Sequence, residues 1–259
     1  MAESEAQTAW HSIEAYAQEV EQDYRFTVDS AEIFLTRLAG LAGTRTLLYI
    51  GEGRPLYPAQ APADAWERRF SALNSQKKIA STLDAFHWQL GPLSERLGKR
   101  AAELGIAFHS LGLGDSADAG AEMGDQSLRT ARIEEESSRF HSLQLLSEPS
   151  GGRTFRSPTA AVLAELRTEL DHCYVLGLPP PEGAKPFALD VRVRNSELVV
   201  RHRRRAAARS LRDRMVDRTL AALAFGAADN ALGAHLDRSG IAERQRGQVA
   251  ELPVVVTVP

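Results

Sequence analysis

Acidic side chains that follow two apolar runs are the residues whose types and spacing come closest to a chemical site. Glu52 follows the run 44–50, and Asp115 and Asp118 follow the run 106–111. Parallel strands place their carboxyl ends at one edge of a sheet, where α/β folds bind ligands. Glu52 and Asp115 are therefore the candidate metal ligands. We expect a solvated loop instead, because magnesium needs near-octahedral oxygen coordination and usually a preformed set of ligands.

Glycine pairs after the same two runs resemble the start of a dinucleotide-binding fingerprint. Gly51 and Gly53 have the right spacing, but Leu56 stands where the third glycine is required, and a proline-rich loop follows instead of a helix. The second pair, Gly112 and Gly114, also lacks the later glycine. The sequence has no Gly-x-Ser-x-Gly elbow and no phosphate-binding loop. Familiar nucleotide and serine-nucleophile chemistries therefore lack their scaffolds.

The cysteine and histidine content does not predict a reactive or metal-binding site. Cys173 is the single cysteine, so the chain cannot form an internal disulfide bond. Because Cys173 stands among apolar residues typical of a strand, we expect a small buried hydrophobe and not a reactive thiolate. His109 and His141 have no cysteine or histidine at ligand spacing, so packing or surface roles are expected.

An arginine-rich segment at 201–205 is the one concentrated charge feature. It could contact phosphates without sequence specificity. However, aromatic residues are not interleaved with it, and Asp213 and Asp217 partly balance its charge. We therefore favour a solvated junction between a strand and a helix, with weak nucleic-acid binding as the alternative. The run continues with Arg209, Arg212 and Arg214.

Length and composition indicate a globular protein with room for more than one unit. The 259 residues exceed the usual single-domain size, and hydrophobic residues at 43% with charged residues at 25% are ordinary for a globular fold. A net charge of −3 predicts no general attraction to nucleic acid or membranes. The apolar runs are far shorter than the roughly 20 residues of a membrane-spanning helix. The acidic start at residues 1–5 is unlike a signal peptide.

Hydrophobic periodicity predicts the elements that would position these residues. Two amphipathic helices come first, and the spacing of Asp29 and Glu32 is that of a capping box at the start of the second. Residues 44–50 then form a strand, prolines make the next stretch a loop, and helical periodicity returns over 75–90 and 93–104. A second strand at 106–111 implies a parallel sheet, because the two strands flank helices.

The later part of the sequence alternates in the same way. A helix containing Phe140 ends before Pro149, and Ser157 with Pro158 starts the next helix. Further predicted elements are a strand at 173–178, a hairpin of 187–193 with 198–202, a helix from Leu211 to Phe225 and a final strand at 252–258.

Four of these segments, in this order, resemble the bacterial von Willebrand factor A (VWFA)-related family. Residues 43–53 are similar to that family's strand ending in an acid and a glycine, and residues 145–155 resemble its helix end and glycine-glycine-arginine turn. Residues 173–180 resemble its Tyr-Val-Leu-Gly strand, and residues 198–204 its closing basic strand. The segments 217–223 and 229–233 look like the helical part that follows the domain in some members.

The sequence departs from this family at its metal site. A complete domain begins with a strand carrying Asp-x-Ser-x-Ser, and this chain has no such motif, since Asp29 to Glu32 is better explained as a helix cap. The resemblance therefore implies that the first strands are missing and that Glu52 alone matches the family's late acid. It also implies no cofactor, with magnesium bound only if the missing motifs are supplied, and an extracytoplasmic location if the chain is a fragment.

These observations together predict a fold and a function. We expect a three-layer, Rossmann-like α/β domain at 1–204, with a mainly parallel sheet, helices on both faces and an antiparallel hairpin at the edge. Residues 205–259 would add a helical extension and the first strand of a further β segment. The expected function is non-enzymatic protein binding, with a carboxylate-based enzyme around Glu52 and Asp115 as the alternative. If early strands are missing, residues 46–50 form an unpaired apolar edge that favours self-association.

Overall fold

Helices and short strands alternate in a mixed α/β architecture. A computed structural model describes residues 1–113, 126–179, 186–195 and 197–226, and four strand segments beyond them. The helices are α1 (Ala2–Leu38), α2 (Gln60–Lys77), α3 (Gly91–Leu104), α4 (Gln126–Ser147), α5 (Ala160–Asp171) and α6 (Leu211–Phe225). The strands are β1 (Arg45–Gly51), β2 (Ile106–Gly112), β3 (Thr154–Phe155), β4 (Phe187–Ala188), β5 (Arg205–Ala206), β6 (His235–Asp237), β7 (Arg244–Arg246), β8 (Val249–Glu251) and β9 (Val255–Thr257).

A single helix, α1, replaces the two helices predicted for the first 41 residues. No glycine or proline interrupts residues 2–38, so nothing stops the helix between its two apolar stretches. The predicted capping box at Asp29 is therefore wrong. Asp29 and Glu32 lie in the middle of α1, and both carboxylates pair with the guanidinium group of Arg96 on α3. The two acids that resemble a helix start in the sequence instead join α1 to α3 through Arg96.

The parallel pairing of the first two strands is confirmed. Each residue of β1 from Arg45 to Gly51 is paired with one of β2 from Ile106 to Gly112, and β3 extends the sheet on the far side of β2. The strand order β1-β2-β3 leaves β1 at an edge. The mixed α/β class is thus confirmed, in the form of a small three-stranded parallel sheet.

One face of this sheet is covered by helices. Buried side chains of α1, α3 and α4 form one core cluster with Leu47, Ile106 and Phe108, which alternation places on the same face. Gly98 of α3 permits the close approach of α4, because a Cβ there would collide with the backbone carbonyls of Leu145 and Leu146. A second helical layer on the opposite face stays a prediction.

The first half of α1 packs against α2 in a separate core cluster. The rings of Trp10 and Trp66 meet edge to face with centroids 5.1 Å apart, and the Trp66 indole N–H donates to the Ala6 carbonyl at 2.9 Å. The helix predicted at 75–90 is wrong, because α2 ends at Lys77, Lys78 adopts a left-handed conformation, and residues 82–87 form a 3-10 helix. The predicted loop before it is shorter, since α2 already begins at Gln60.

The other helices lie close to their predicted positions, although their exact ends differ from the prediction. Helices α3, α4 and α6 lie where periodicity predicts them. Helix α5 starts at Ala160, and Thr159, not Ser157, caps it through a bond from the Val162 N–H. In the described part of the chain no helix is long and apolar enough to cross a membrane.

Of the strands predicted after residue 172, the final one at 252–258 is confirmed by β9, and the others differ from the prediction. Residues 173–179 form no helix or strand and join no sheet in the described structure. The hairpin does double back, yet its ladder joins β4 to β5 and not 187–193 to 198–202. Strand β9 is paired, antiparallel to β6, and β7 pairs with β8. The predicted domain boundary after residue 204 stays a prediction.

Candidate functional site

The turn that carries Glu52 is held tightly against α4. Gly53 has φ +77°, and a Cβ there would overlap the backbone carbonyl of Arg139, so a glycine is needed for this close approach. The Ser142 hydroxyl accepts from the Arg54 N–H at 3.0 Å, and the Ser138 hydroxyl accepts from the Leu56 N–H at 2.8 Å. The carboxyl end of β1 is thereby fixed to one helix.

Glu52 itself is paired with a cation that the chain supplies. Its Oε2 accepts from Arg139 Nη1 at 2.7 Å, and Arg139 Nη2 donates to Glu135 at 2.7 Å. Burial acts to lower the pKa of Arg139, but the hydrogen bonds and negative charges of Glu135 and Glu52 outweigh burial, and the pKa is raised. The guanidinium group therefore stays charged and is shared between Glu52 and Glu135.

The second candidate ligand cannot be placed beside Glu52. Asp115 and Asp118 both lie outside the described residues. Within the residues that are described, no group of three or more His, Cys, Asp or Glu side chains is arranged to hold a metal ion. The metal role of Glu52 and Asp115 stays a prediction.

The open edge of β1 is the most distinctive feature near Glu52. The Leu113 N–H bonds to the Gly51 carbonyl, so Gly51 faces β2. Since backbone groups alternate along a strand, Thr46, Leu48 and Ile50 direct their N–H and C=O groups away from the sheet. No strand pairs with this edge among the described residues.

Apolar side chains accompany the open edge. The Ile50 and Tyr49 side chains are 54% and 40% exposed, although a strand of this composition is typical of a sheet interior. Leu48 is half-buried. Among the described residues, the strand at 46–50 therefore has the unpaired, apolar edge that was predicted.

Cys173 differs from its prediction. Its side chain is exposed, not buried among strand neighbours. Next to it, Tyr174 and Val175 are 94% and 83% exposed, and Leu176 and Leu178 are also exposed. The apolar composition of residues 173–178 predicted a core strand, but burial of such a strand depends on neighbouring strands that the local sequence does not specify.

The arginine-rich segment is largely neutralised by acids from other elements. Arg201 pairs with Glu169 at 2.9 Å, Arg204 with Glu148 at 3.6 Å and Arg205 with Glu103 at 3.4 Å. These pairs favour a structural interpretation of Arg201, Arg204 and Arg205, and weak nucleic-acid binding through the 201–214 run stays a prediction.

His109 is a buried histidine on the face of β2 opposite the helical layer. Its Nδ1 accepts from the Arg153 backbone N–H at 3.2 Å. Burial lowers the pKa of His109, and the positive charges of Arg153 and Arg201 act in the same direction against the negative charge of Glu169. The predicted packing role of His109 is confirmed, as is the surface position of His141.

The contact among Arg45, Gly40 and Asp217 was not predicted from the sequence. Arg45 at the start of β1, Gly40 after α1 and Asp217 in α6 meet at the amino end of β1. Their separation along the chain left no local pattern that could have revealed the contact. Comparisons of the chain with known protein families, with curated proteins and with solved structures find no match.

Proposed function

We propose that the chain is a non-enzymatic protein-binding module that adds a strand of its partner to the open edge of β1. The observation that carries this proposal is the row of outward backbone groups at Thr46, Leu48 and Ile50, which lacks a strand partner within the described structure. An extended partner segment pairing with such an edge gains main-chain hydrogen bonds and specificity pockets for alternate side chains.

Side chains on both faces of the edge can provide that specificity. Ile50 and Tyr49 point to opposite faces of the sheet, and both are exposed. A partner strand that carries apolar residues at alternate positions would cover one or both of them. Burying such side chains adds the stabilisation that backbone pairing alone does not supply.

The finer fold prediction belongs to the same proposal. The small parallel sheet with helices on one face is compatible with a three-layer domain of the VWFA type, in which β1 matches the strand that ends in the late acid. The proposed module then has an incomplete metal-ion-dependent adhesion site. Glu52, paired with Arg139, contributes a neutralised carboxylate and needs no magnesium ion.

A proline at position 50 tests the docking edge. Ile50→Pro removes an N–H that faces away from β2, so the β1–β2 ladder is preserved while the outer edge loses a donor. We expect proteins captured by the wild-type chain to be lost with Ile50→Pro and with Ile50→Lys, and size-exclusion chromatography to show less self-association. Ile133→Lys on α4, where the side chain is 66% exposed, is the matched control.

Magnesium distinguishes this proposal from a working metal site. Capture is expected to be equal with magnesium and with a chelator. Two results would contradict binding through the metal-independent edge. One is capture that requires magnesium, and the other is capture that is equally intact in Ile50→Pro and in Ile133→Lys.

A further inference from the structure

A small cavity lies at the amino end of β1, the end of the sheet opposite Glu52. It has a volume of about 220 Å³ and lies between the end of α1, the start of β1 and α6. Gly40 makes the enclosure possible, because a Cβ there would overlap the backbone carbonyl of Asp217 and push α6 away from α1. Its charged lining consists of Arg45, Arg209, Arg214, Arg218 and Asp217.

The charge of this lining is strongly unbalanced. Asp217 is its one acid, is buried, and has both carboxylate oxygens bonded to Nη2 of Arg209. Arg214 and Arg218 form no ion pair with any described side chain, although the chain as a whole has more acidic than basic residues. The lining therefore contains four arginines and one acid, and that acid is already paired with Arg209; Arg214 and Arg218 are exposed.

Two donors in the lining have no acceptor. Nε of Arg45 and Nε of Arg209 are buried and make no hydrogen bond to any described residue. Arg45 uses Nη1 for the carbonyls of Ala39 and Leu41. A buried donor without an acceptor is costly, more so when it is charged, and native structures rarely keep one without a reason.

The electrostatic environment of Arg45 supports an excess of positive charge. Burial lowers the pKa of Arg45, and the positive charge of Arg203 lowers it further, while Asp217 acts in the opposite direction. Nearby, Nη1 of Arg203 and Nη2 of Arg45 both approach Gly105, with the Arg203 atom 2.9 Å and the Arg45 atom 3.5 Å from the position of a Cβ there. An anion in the cavity would relieve the repulsion between these groups.

We propose that this cavity binds a phosphate group. A tetrahedral dianion offers acceptor oxygens in several directions, which suits a cavity lined by arginines of both β1 and α6. A carboxylate is planar and is satisfied by one guanidinium group, as Asp217 is by Arg209. The volume is below the roughly 300 Å³ at which sites for larger organic ligands begin, so the ligand is free phosphate or the terminal group of a small phosphate monoester.

Equilibrium dialysis with radiolabelled inorganic phosphate, and separately with labelled glycerol phosphate, tests this site at constant ionic strength. The double variant Arg214→Gln/Arg218→Gln is expected to lose about tenfold or more in affinity, since two charge-assisted contacts disappear. Arg212→Gln is the matched control, because Arg212 lies on α6 but does not line the cavity. Its affinity should stay within about twofold of wild type.

The two ligands separate the two sources of the phosphate group. Tighter retention of inorganic phosphate indicates a free anion, and tighter retention of glycerol phosphate indicates a monoester. If circular dichroism shows that the double variant does not fold, the single variants Arg214→Gln and Arg218→Gln replace it, each with a smaller expected loss of affinity. The proposal is overturned if wild type retains neither ligand at millimolar concentration, if acetate competes as well as phosphate, or if folded cavity variants and Arg212→Gln bind equally.

Discussion

The two ends of β1 differ in how their charges are balanced. At the carboxyl end, Glu52 is exposed and shares Arg139 with Glu135, so one cation serves two acids at the surface. At the amino end, the lining of the cavity contains four arginines and a single buried acid, Asp217, which pairs with Arg209. The balance of positive and negative side chains at one place in the structure, not their number along the sequence, thus decides where an ionic ligand can bind.

The largest effect is expected at the amino end. Asp217→Asn removes the partner of the partly buried Arg209, leaving that charge and its neighbours uncompensated, and should lower the free energy of unfolding by about 3 kcal/mol. Arg139→Gln at the carboxyl end breaks an exposed pair and should cost less than about 1 kcal/mol. Urea unfolding of both variants in phosphate-free buffer measures the difference. Equal losses would contradict the contrast between the two ends.

A smaller effect is expected from the glycine that closes the cavity. Gly40→Ala forces α1 and α6 apart, and overpacking of this kind costs about 1–3 kcal/mol. Gly177→Ala is the control, because a Cβ at Gly177 meets no atom within 4 Å, and its effect should stay within about 0.5 kcal/mol. Thermal unfolding compares the two. A neutral Gly40→Ala would mean that the helices do not need this close contact.

The smallest effect is expected on the pH dependence of stability, and it comes from His109 on β2. His109 has a lowered pKa when folded, so below its unfolded pKa near 6.5 the unfolded chain binds the extra proton more readily. Its stabilising contribution is therefore present above that pH and is lost as the pH falls toward the folded pKa. Protonation of Nδ1 would also remove the acceptor of the Arg153 N–H.

His109→Gln isolates this contribution from that of the carboxylates. Urea unfolding of wild type and variant at pH 7 and pH 5 should show a steeper loss of stability in the wild type. Parallel losses in the two proteins would contradict the role of His109 as a neutral buried acceptor.

Local patterns predicted the elements that depend on local physics. The alternation of apolar runs and helical periodicity located β1, α3, β2, α4 and α6. The parallel pairing was predicted from the alternation of strand, helix and strand. The apolar edge of β1 agrees with the prediction for residues 46–50, since its composition is that of an interior strand and no described strand pairs with its outer side.

Other features depended on contacts that no local pattern contains. Asp29 has the spacing of a helix cap, but its role is a bond to Arg96. Cys173 stands in a strand-like run, but strands are stabilised by neighbours, and without a ladder the run stays exposed. The arginines of residues 201–205 meet acids on α3, α5 and the turn after α4, and this pairing could not be inferred from their spacing.

By itself, the sequence determined where the chain forms α3, α4, α6 and its two main strands, because hydrophobic period and turn residues act over a few positions. Only the tertiary structure decided which charges remain unbalanced, because Coulomb interactions and desolvation depend on distances between residues far apart in the chain. Arg45 and Arg209 stand 164 positions apart and yet line one cavity.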